Sequence, residues 1–183
     1  VYLVVGLGNP GSQYKLTYHN IGFLIIDAVC KYWSFQPFSK KANYLVTSGI
    51  IDKNEVILLK PYSFMNNSGI PVARVRDCYK FLLDNVIVIH DDADLEFGRV
   101  KIKKGGSSAG HNGLKSIDSL IGNDYWRLRF GIGRPDDQGS LADYVLSKFL
   151  NLDKVTFLVE KIAKNIHLVL QGDNASFISL IIL

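Results

Sequence analysis

Val86-Ile87-Val88-Ile89 is an unbroken apolar run, closed by the polar turn His90-Asp91-Asp92-Ala93-Asp94. A strand that is apolar on both sides is covered on both sides, as central parallel strands are. A strand facing water alternates instead. Upstream, Val1-Tyr2-Leu3-Val4-Val5 is a second buried run, and it ends in Gly6-Leu7-Gly8-Asn9-Pro10-Gly11. Residues 21–33 are apolar nearly all round, which reads as a buried helix with Thr17 or Asn20 near its N-cap. Residues 44–51 and 55–59 pair as a hairpin about Asp52-Lys53-Asn54. Val72, Val75, Tyr79, Leu82 and Leu83 keep helical spacing, with Ser68 as cap and Pro71 in the first turn. Downstream, residues 99–103 alternate cations with Val100 and Ile102, a strand with one basic face. A helix over about 111–121, a strand over 126–132 and two or three helices from Leu141 follow. The apolar tail 178–183 reads as packed against the body. Strands alternating with helices predict an α/β fold: one domain over 1–183, a mixed, mostly parallel twisted sheet, and helices on both faces. Ligands then gather at the C-terminal ends of the parallel strands.

The chain of 183 residues is 48% hydrophobic and 21% charged, enough for one core. It holds no apolar stretch of the roughly 18–20 residues that a membrane span needs. It shows no basic-then-apolar leader, so the cytoplasm is the expected compartment. Cys30 and Cys78 have no CxxC partner and there is no HExxH, so structural zinc is not expected. Both cysteines read as buried free thiols of a reducing compartment. A net charge of +4 is mild, so its placement matters more than its total.

Gly6-Leu7-Gly8-Asn9-Pro10-Gly11 matches GxGxxG after a strand, which invites a dinucleotide site and an oxidoreductase. The mechanics oppose that reading. A helix must open within the glycines to hold a pyrophosphate, whereas Pro10 stiffens the turn and Ser12-Gln13-Tyr14-Lys15 is polar. The nearest acid, Asp27, falls inside the helix pattern instead of ending a second strand.

Four polar clusters sit at turns after strands or before helices. They are Asn9 with Tyr14, Thr17, His19 and Asn20; Phe64-Met65-Asn66-Asn67; the 90–94 turn; and the glycine-rich 105–113 segment with Asn112. His19 ahead of a helix start feels the positive end of the dipole, which favours neutral imidazole. A carboxylate such as Asp91 would orient the ring and stabilise its protonated form, as a general base requires. Capping or packing explains His19 equally well on spacing alone. There is no GxSxG elbow, so water is the simpler nucleophile. Asn9, Asn66 and Asn112 could donate amide protons to a carbonyl oxygen or hold that water. Asp91, Asp92 and Asp94 resemble a magnesium cluster, but turn and cap roles are the better reading. Arg99, Lys101 and Lys103 share one strand face, Lys104 follows, and Arg127 and Arg129 repeat the pattern on another strand. With the backbone N–H groups of the glycine-rich loop beside them, they suit a polyanion.

In order and spacing, these segments resemble bacterial-type peptidyl-tRNA hydrolases. The residues that carry the resemblance are GLGNPG at 6–11 with Tyr14, Thr17, His19, Asn20 and Gly22; KPYSFMNNSG at 60–69; HDDADL at 90–95; GGSSAGHNGLKSI at 105–117; RLRFGIGRP at 127–135; and YVLSKF at 144–149. The resemblance implies hydrolysis of the ester between a peptide and the 3′ ribose of tRNA by a monomer needing no metal or cofactor. It implies His19 as catalytic base, Asp91 as its orienting carboxylate, and Asn9 and Asn66 placing the carbonyl and water. It further implies Asn112 at the tRNA-facing rim, also helping to hold the water; Tyr14 and Met65 lining the cleft, with Phe64 in the same substrate-binding group; and Lys101, Lys103 and Arg129 contacting tRNA phosphates. Two departures stand out: Tyr18 occupies a position where the family has arginine, which removes a cation beside the cleft, and the tail beyond Gly172 keeps only a loose likeness. A non-catalytic RNA-binding factor on the same fold is the alternative expectation.

Overall fold

Val86–Asp92 forms the strand that its apolar run requires, buried from Val86 to Asp91. The computed structural model describes residues 1–136 and 139–182. In chain order they form β1 (Tyr2–Gly6), α1 (Ile21–Tyr32), β2 (Ser39–Lys40), β3 (Tyr44–Ile51), β4 (Asn54–Pro61), α2 (Gly69–Tyr79), β5 (Val86–Asp92), β6 (Val100–Lys104), α3 (Asn112–Ile121), β7 (Trp126–Gly131), α4 (Leu141–Val145), α5 (Leu152–Leu170) and α6 (Asn174–Ile181). The seven strands make one sheet in the order β2-β3-β4-β1-β5-β7-β6. Its centre, β4-β1-β5-β7, is parallel, and β2, β3 and β6 join antiparallel at the edges. Gly6 stands opposite Ile89, and Asp91 opposite Phe130. The C-terminal ends of three parallel strands therefore meet at one edge, where α/β sheets take their ligands.

Alternate strand residues feed two cores. Val4, Leu58, Ile87 and Ile89 pack with Ile25 and Ile26 of α1 and with Leu158, Ile162 and Ile166 of α5. Leu3, Val5, Leu59 and Val88 pack instead with Val72 and Val75 of α2 and Leu114 and Ile117 of α3. Helices thus cover both faces, as the unbroken apolar strands demand. No described helix is long and apolar enough to cross a membrane.

Several local expectations need correction. Helix α2 stops at Tyr79, because Lys80 turns left-handed (φ 55°), so Leu82 and Leu83 lie beyond it and Leu82 is exposed. Neither Asn20 nor Thr17 caps α1 through its side chain. Ser68 does not cap α2 either; its hydroxyl donates to the carbonyl of Met65 at 2.7 Å. Arg99 precedes β6 and Ile132 follows β7. Cys78 is exposed, not buried, since the last turn of α2 leaves the core and its neighbour Tyr79 is exposed with it. Cys30 is half-buried, and that burial, then the charge of Asp27, pushes its thiol pKa up. The tail packs only in part: Ile181 is buried, like Phe177 before it, but Leu180 and Ile182 are exposed, and Leu183 lies outside the described residues.

Two glycines let α1 sit directly on the sheet. A Cβ on Gly22 would stand 2.4 Å from the Leu7 nitrogen and 2.5 Å from the Ile89 oxygen; one on Gly6 would meet the Gly22 oxygen at 2.3 Å. The residues just before α1, His19 among them, are thereby pressed against the end of β5.

Candidate active site

Asn9 and Asn20 clamp the turn after β1 to the start of α1. The Asn9 backbone N–H donates to Asn20 Oδ1, and Asn20 Nδ2 donates back to the Asn9 carbonyl, both at 2.9 Å. The Asn9 side chain then accepts the Met65 N–H through Oδ1 at 2.8 Å. Its Nδ2 carries the remaining two N–H groups. Phe64, in the left-handed region at φ 59°, delivers that Met65 N–H. Met65 is buried, with its sulfur against Gly113 of α3, where a Cβ would come within 2.6 Å. Phe64 itself is 52% exposed and meets Tyr14 edge-on, ring centroids 6.3 Å apart. Asn66 and Asn112 are exposed.

Asp91 is shared by two histidines. His19 Nδ1 lies 2.8 Å from Oδ2, and His111 Nε2 lies 2.8 Å from Oδ1. The protonation pattern follows from the backbone. His111 Nδ1 accepts the N–H groups of Gly113 and Leu114 at 3.1 and 3.3 Å, capping α3, so its ring proton sits on Nε2 and donates to Asp91. His19 likewise donates Nδ1–H, which leaves its Nε2 as a bare lone pair. Burial alone would raise the Asp91 pKa; the imidazoles of His19 and His111 outweigh it and hold the carboxyl well below the usual range. These three residues could be taken for a metal site, since their donor atoms lie within 4.8 Å of one another. The donor chemistry does not fit. Ligation through His111 Nε2 would move the proton to Nδ1, straight against two backbone N–H groups.

His90, next in the strand, donates Nδ1–H to the Asp91 carbonyl at 2.7 Å. Burial and then the neighbouring His111 push its pKa down to about 4. The unfolded chain takes up that proton near pH 6.5. Between those values the unfolded state binds more protons, so stability falls as the pH falls from about 6.5 to 4, by at most ~1.4 kcal/mol per pH unit. Denaturant midpoints measured from pH 7 to 4.5 should show this decline, and His90→Gln should flatten it.

Asp92 and Asp94 of the acidic turn are both engaged within the protein. Asp92 accepts the Asp94 N–H and Arg129 Nε, both at 2.8 Å, and Asp94 pairs with Arg134. The basic face is smaller than its alternation promised. Lys101 and Lys103 of β6 are exposed, and Arg129, opposite Lys101, is partly exposed. Arg127, opposite Lys103, is 2% exposed. It donates to the carbonyls of Ser107 and Gly106 at 2.7 and 3.1 Å and reaches Asp118, so it shapes the glycine-rich loop instead of facing a ligand. Lys104 is engaged by Asp84 and Asp124. Tyr18 does not lie beside the cleft at all: it is buried, stacked on Tyr144 at 4.8 Å and edge-on to Phe149 at 5.1 Å. The glycine turn after β1 leads into a short 3-10 turn, and α1 opens only at Ile21, so no helix start meets the glycines.

A cavity of about 360 Å³ opens at this edge, lined by His19, Asp91, Asn112, Lys103, Arg129 and neighbours. Asn9, Tyr14, Phe64, Met65 and Asn66 are not in that lining; Asn9, which holds Met65, is joined to the His19 segment through Asn20. The family profile described as peptidyl-tRNA hydrolase matches residues 3–180. The chain belongs to the peptidyl-tRNA hydrolase family. It is 76% identical over 182 residues to the peptidyl-tRNA hydrolase of Wolbachia sp. subsp. Drosophila simulans (strain wRi), with all of both chains covered. The enzyme of that name from Ehrlichia ruminantium (strain Welgevonden) is 52% identical, covering 97% of this chain and 92% of that one. Among solved structures, peptidyl-tRNA hydrolase from Acinetobacter baumannii superposes with a TM-score of 0.91 at 30% identity, over 99% of this chain and 94% of its own.

Sequence reading of this family member missed His111 as the second partner of Asp91. The signal was faint: a histidine just before a helix reads as a cap, which it also is. The clamp by Asn20 was missed for the same reason, an asparagine near a helix start being an ordinary cap candidate.

Proposed function

We propose that this protein hydrolyses the ester between a peptide and the 3′ ribose of tRNA, with His19 as the general base. The observation that carries the reading is the contact of His19 Nδ1 with Asp91, a carboxylate that His111 Nε2 also engages; with Nδ1 donating, Nε2 of His19 is left as the acceptor. In the proposed step a water gives a proton to His19 Nε2 and its oxygen attacks the ester carbonyl carbon. Asp91 stabilises the resulting imidazolium. The tetrahedral intermediate breaks its bond to the 3′ oxygen, which takes the proton from His19 and leaves as free tRNA. Asn9, whose Nδ2 is available once Oδ1 holds Met65, donates to the oxyanion. Asn66 and Asn112 hold the carbonyl and the water at the rim, and Tyr14, Phe64 and Met65 form the wall against the peptide. The protein acts as a cytoplasmic monomer without cofactor. Incubation with N-acetylaminoacyl-tRNA should release free tRNA and N-acetyl amino acid; tRNA binding without release would leave only an RNA-binding factor.

Lys101, Lys103 and Arg129 are the proposed phosphate contacts. Lys101→Gln and Arg129→Gln should each weaken tRNA binding and reduce the slope of log K against log salt by about 0.7–0.9. A salt titration of the two variants reads this directly, and unchanged slopes would remove these residues from the interface.

A further inference from the structure

Four cations line the cavity among the described residues, and their surroundings differ. Arg127 is buried under the glycine-rich loop. Lys103 is exposed. Arg129 gives only Nε to Asp92, whose other oxygen is tied to the backbone of Asp94, so this pair is built into the turn and aims the guanidinium. Arg134 differs from all three. Its Nε and Nη2 both donate to Asp94 Oδ1, at 3.2 and 2.5 Å, so the carboxylate occupies the edge of the guanidinium that phosphate would use. The two side chains are 57% and 45% exposed. An exposed pair of this kind is weak. A phosphodiester offers the same acceptor geometry as the carboxylate.

We propose that Arg134 is a phosphodiester-binding residue of this cleft and that Asp94 occupies its binding edge in the free protein. The proposal rests on the reading of the cleft as an RNA site. Engagement of Arg134 then requires RNA to displace a carboxylate. Polyanions that do not reach Arg134 draw nothing from it, and a departing tRNA is replaced at once by Asp94. Arg134 thereby joins Lys101, Lys103 and Arg129 in the interface, and Asp94 tunes its selectivity.

The test is equilibrium binding of deacylated tRNA across a salt series to the wild type, Asp94→Asn, Arg134→Gln and the double variant. Asp94→Asn should bind about 2- to 5-fold tighter, with a salt dependence steeper by up to about 0.9. Arg134→Gln should bind more weakly than wild type, and the double variant should match Arg134→Gln alone. Unchanged or weaker binding by Asp94→Asn would overturn the proposal. So would a gain that survives in the Arg134→Gln background, because it would then come from net charge alone. A wild type that binds no tRNA defeats the RNA reading and this proposal together; a wild type that binds while Asp94→Asn gains nothing defeats the proposal only.

Discussion

Replacing His19 with Ala lowers turnover of N-acetylaminoacyl-tRNA by about 10²- to 10⁴-fold, the usual worth of a positioned general base. The loss falls on kcat, with KM nearly unchanged, because the proposed phosphate contacts lie on β6 and β7 and not on the His19 segment. The fold should survive. His19 lines the cavity, so truncation enlarges a water-accessible hollow and leaves no sealed void, and Asp91 keeps its bond to His111. His111 cannot take over the base role. Its Nε2 proton points at Asp91 and its Nδ1 is covered by the N–H groups of Gly113 and Leu114. A variant within a few fold of wild type in kcat would mean that His19 only packs or caps.

Asp91→Asn should be nearly as damaging, for a reason that the geometry makes specific. Asp91 accepts two N–H groups, one from each imidazole, whereas an asparagine offers one oxygen and one NH₂. One histidine must therefore change tautomer. His111 is locked by the start of α3, so the asparagine oxygen stays with it and the NH₂ turns to His19. His19 then accepts through Nδ1 and carries its proton on Nε2, facing the substrate with a donor instead of a lone pair. In Ser-His-Asp enzymes the corresponding change costs about 10⁴-fold in kcat, and a drop of ~10²-fold or more is expected here. Nitrogen NMR of the imidazoles should show His19 switching tautomer while His111 keeps its own. A switch at His111 instead would contradict the lock.

The parts of the fold that read directly from sequence are those with a strong apolar pattern. The unbroken runs at 1–5 and 86–89 named the central parallel strands, because a strand covered on both faces is apolar throughout, and the runs at 44–51 and 55–59 named the hairpin. Alternation misled at β7. Arg127 and Arg129 alternate identically, yet Arg127 lies beneath the glycine-rich loop and beside Asp118 of α3, while Arg129 lies nearer the strand end and keeps part of its side chain in the cleft. Sequence reports the face of a strand but not how far along that face the cover extends. Tyr18 was misplaced beside the cleft because its neighbour His19 belongs there; the tight turn before α1 sends the two side chains to opposite destinations. Asp91 was legible as the partner of His19 from its place at a strand end. The second bond, to His111, joins residues with no shared periodicity and emerges only when α3 docks on the end of β5.

Single-turnover cleavage at saturating protein decides whether this cleft breaks an ester with His19 as its base. Wild type and His19→Ala are mixed with N-acetylaminoacyl-tRNA, and bound complex and free tRNA are followed in the same samples. Both proteins should bind equally, the wild type should release tRNA promptly, and the variant should release it at least ~10²-fold more slowly. Equal release rates, or binding by the wild type with no release at all, would contradict ester cleavage with His19 as base.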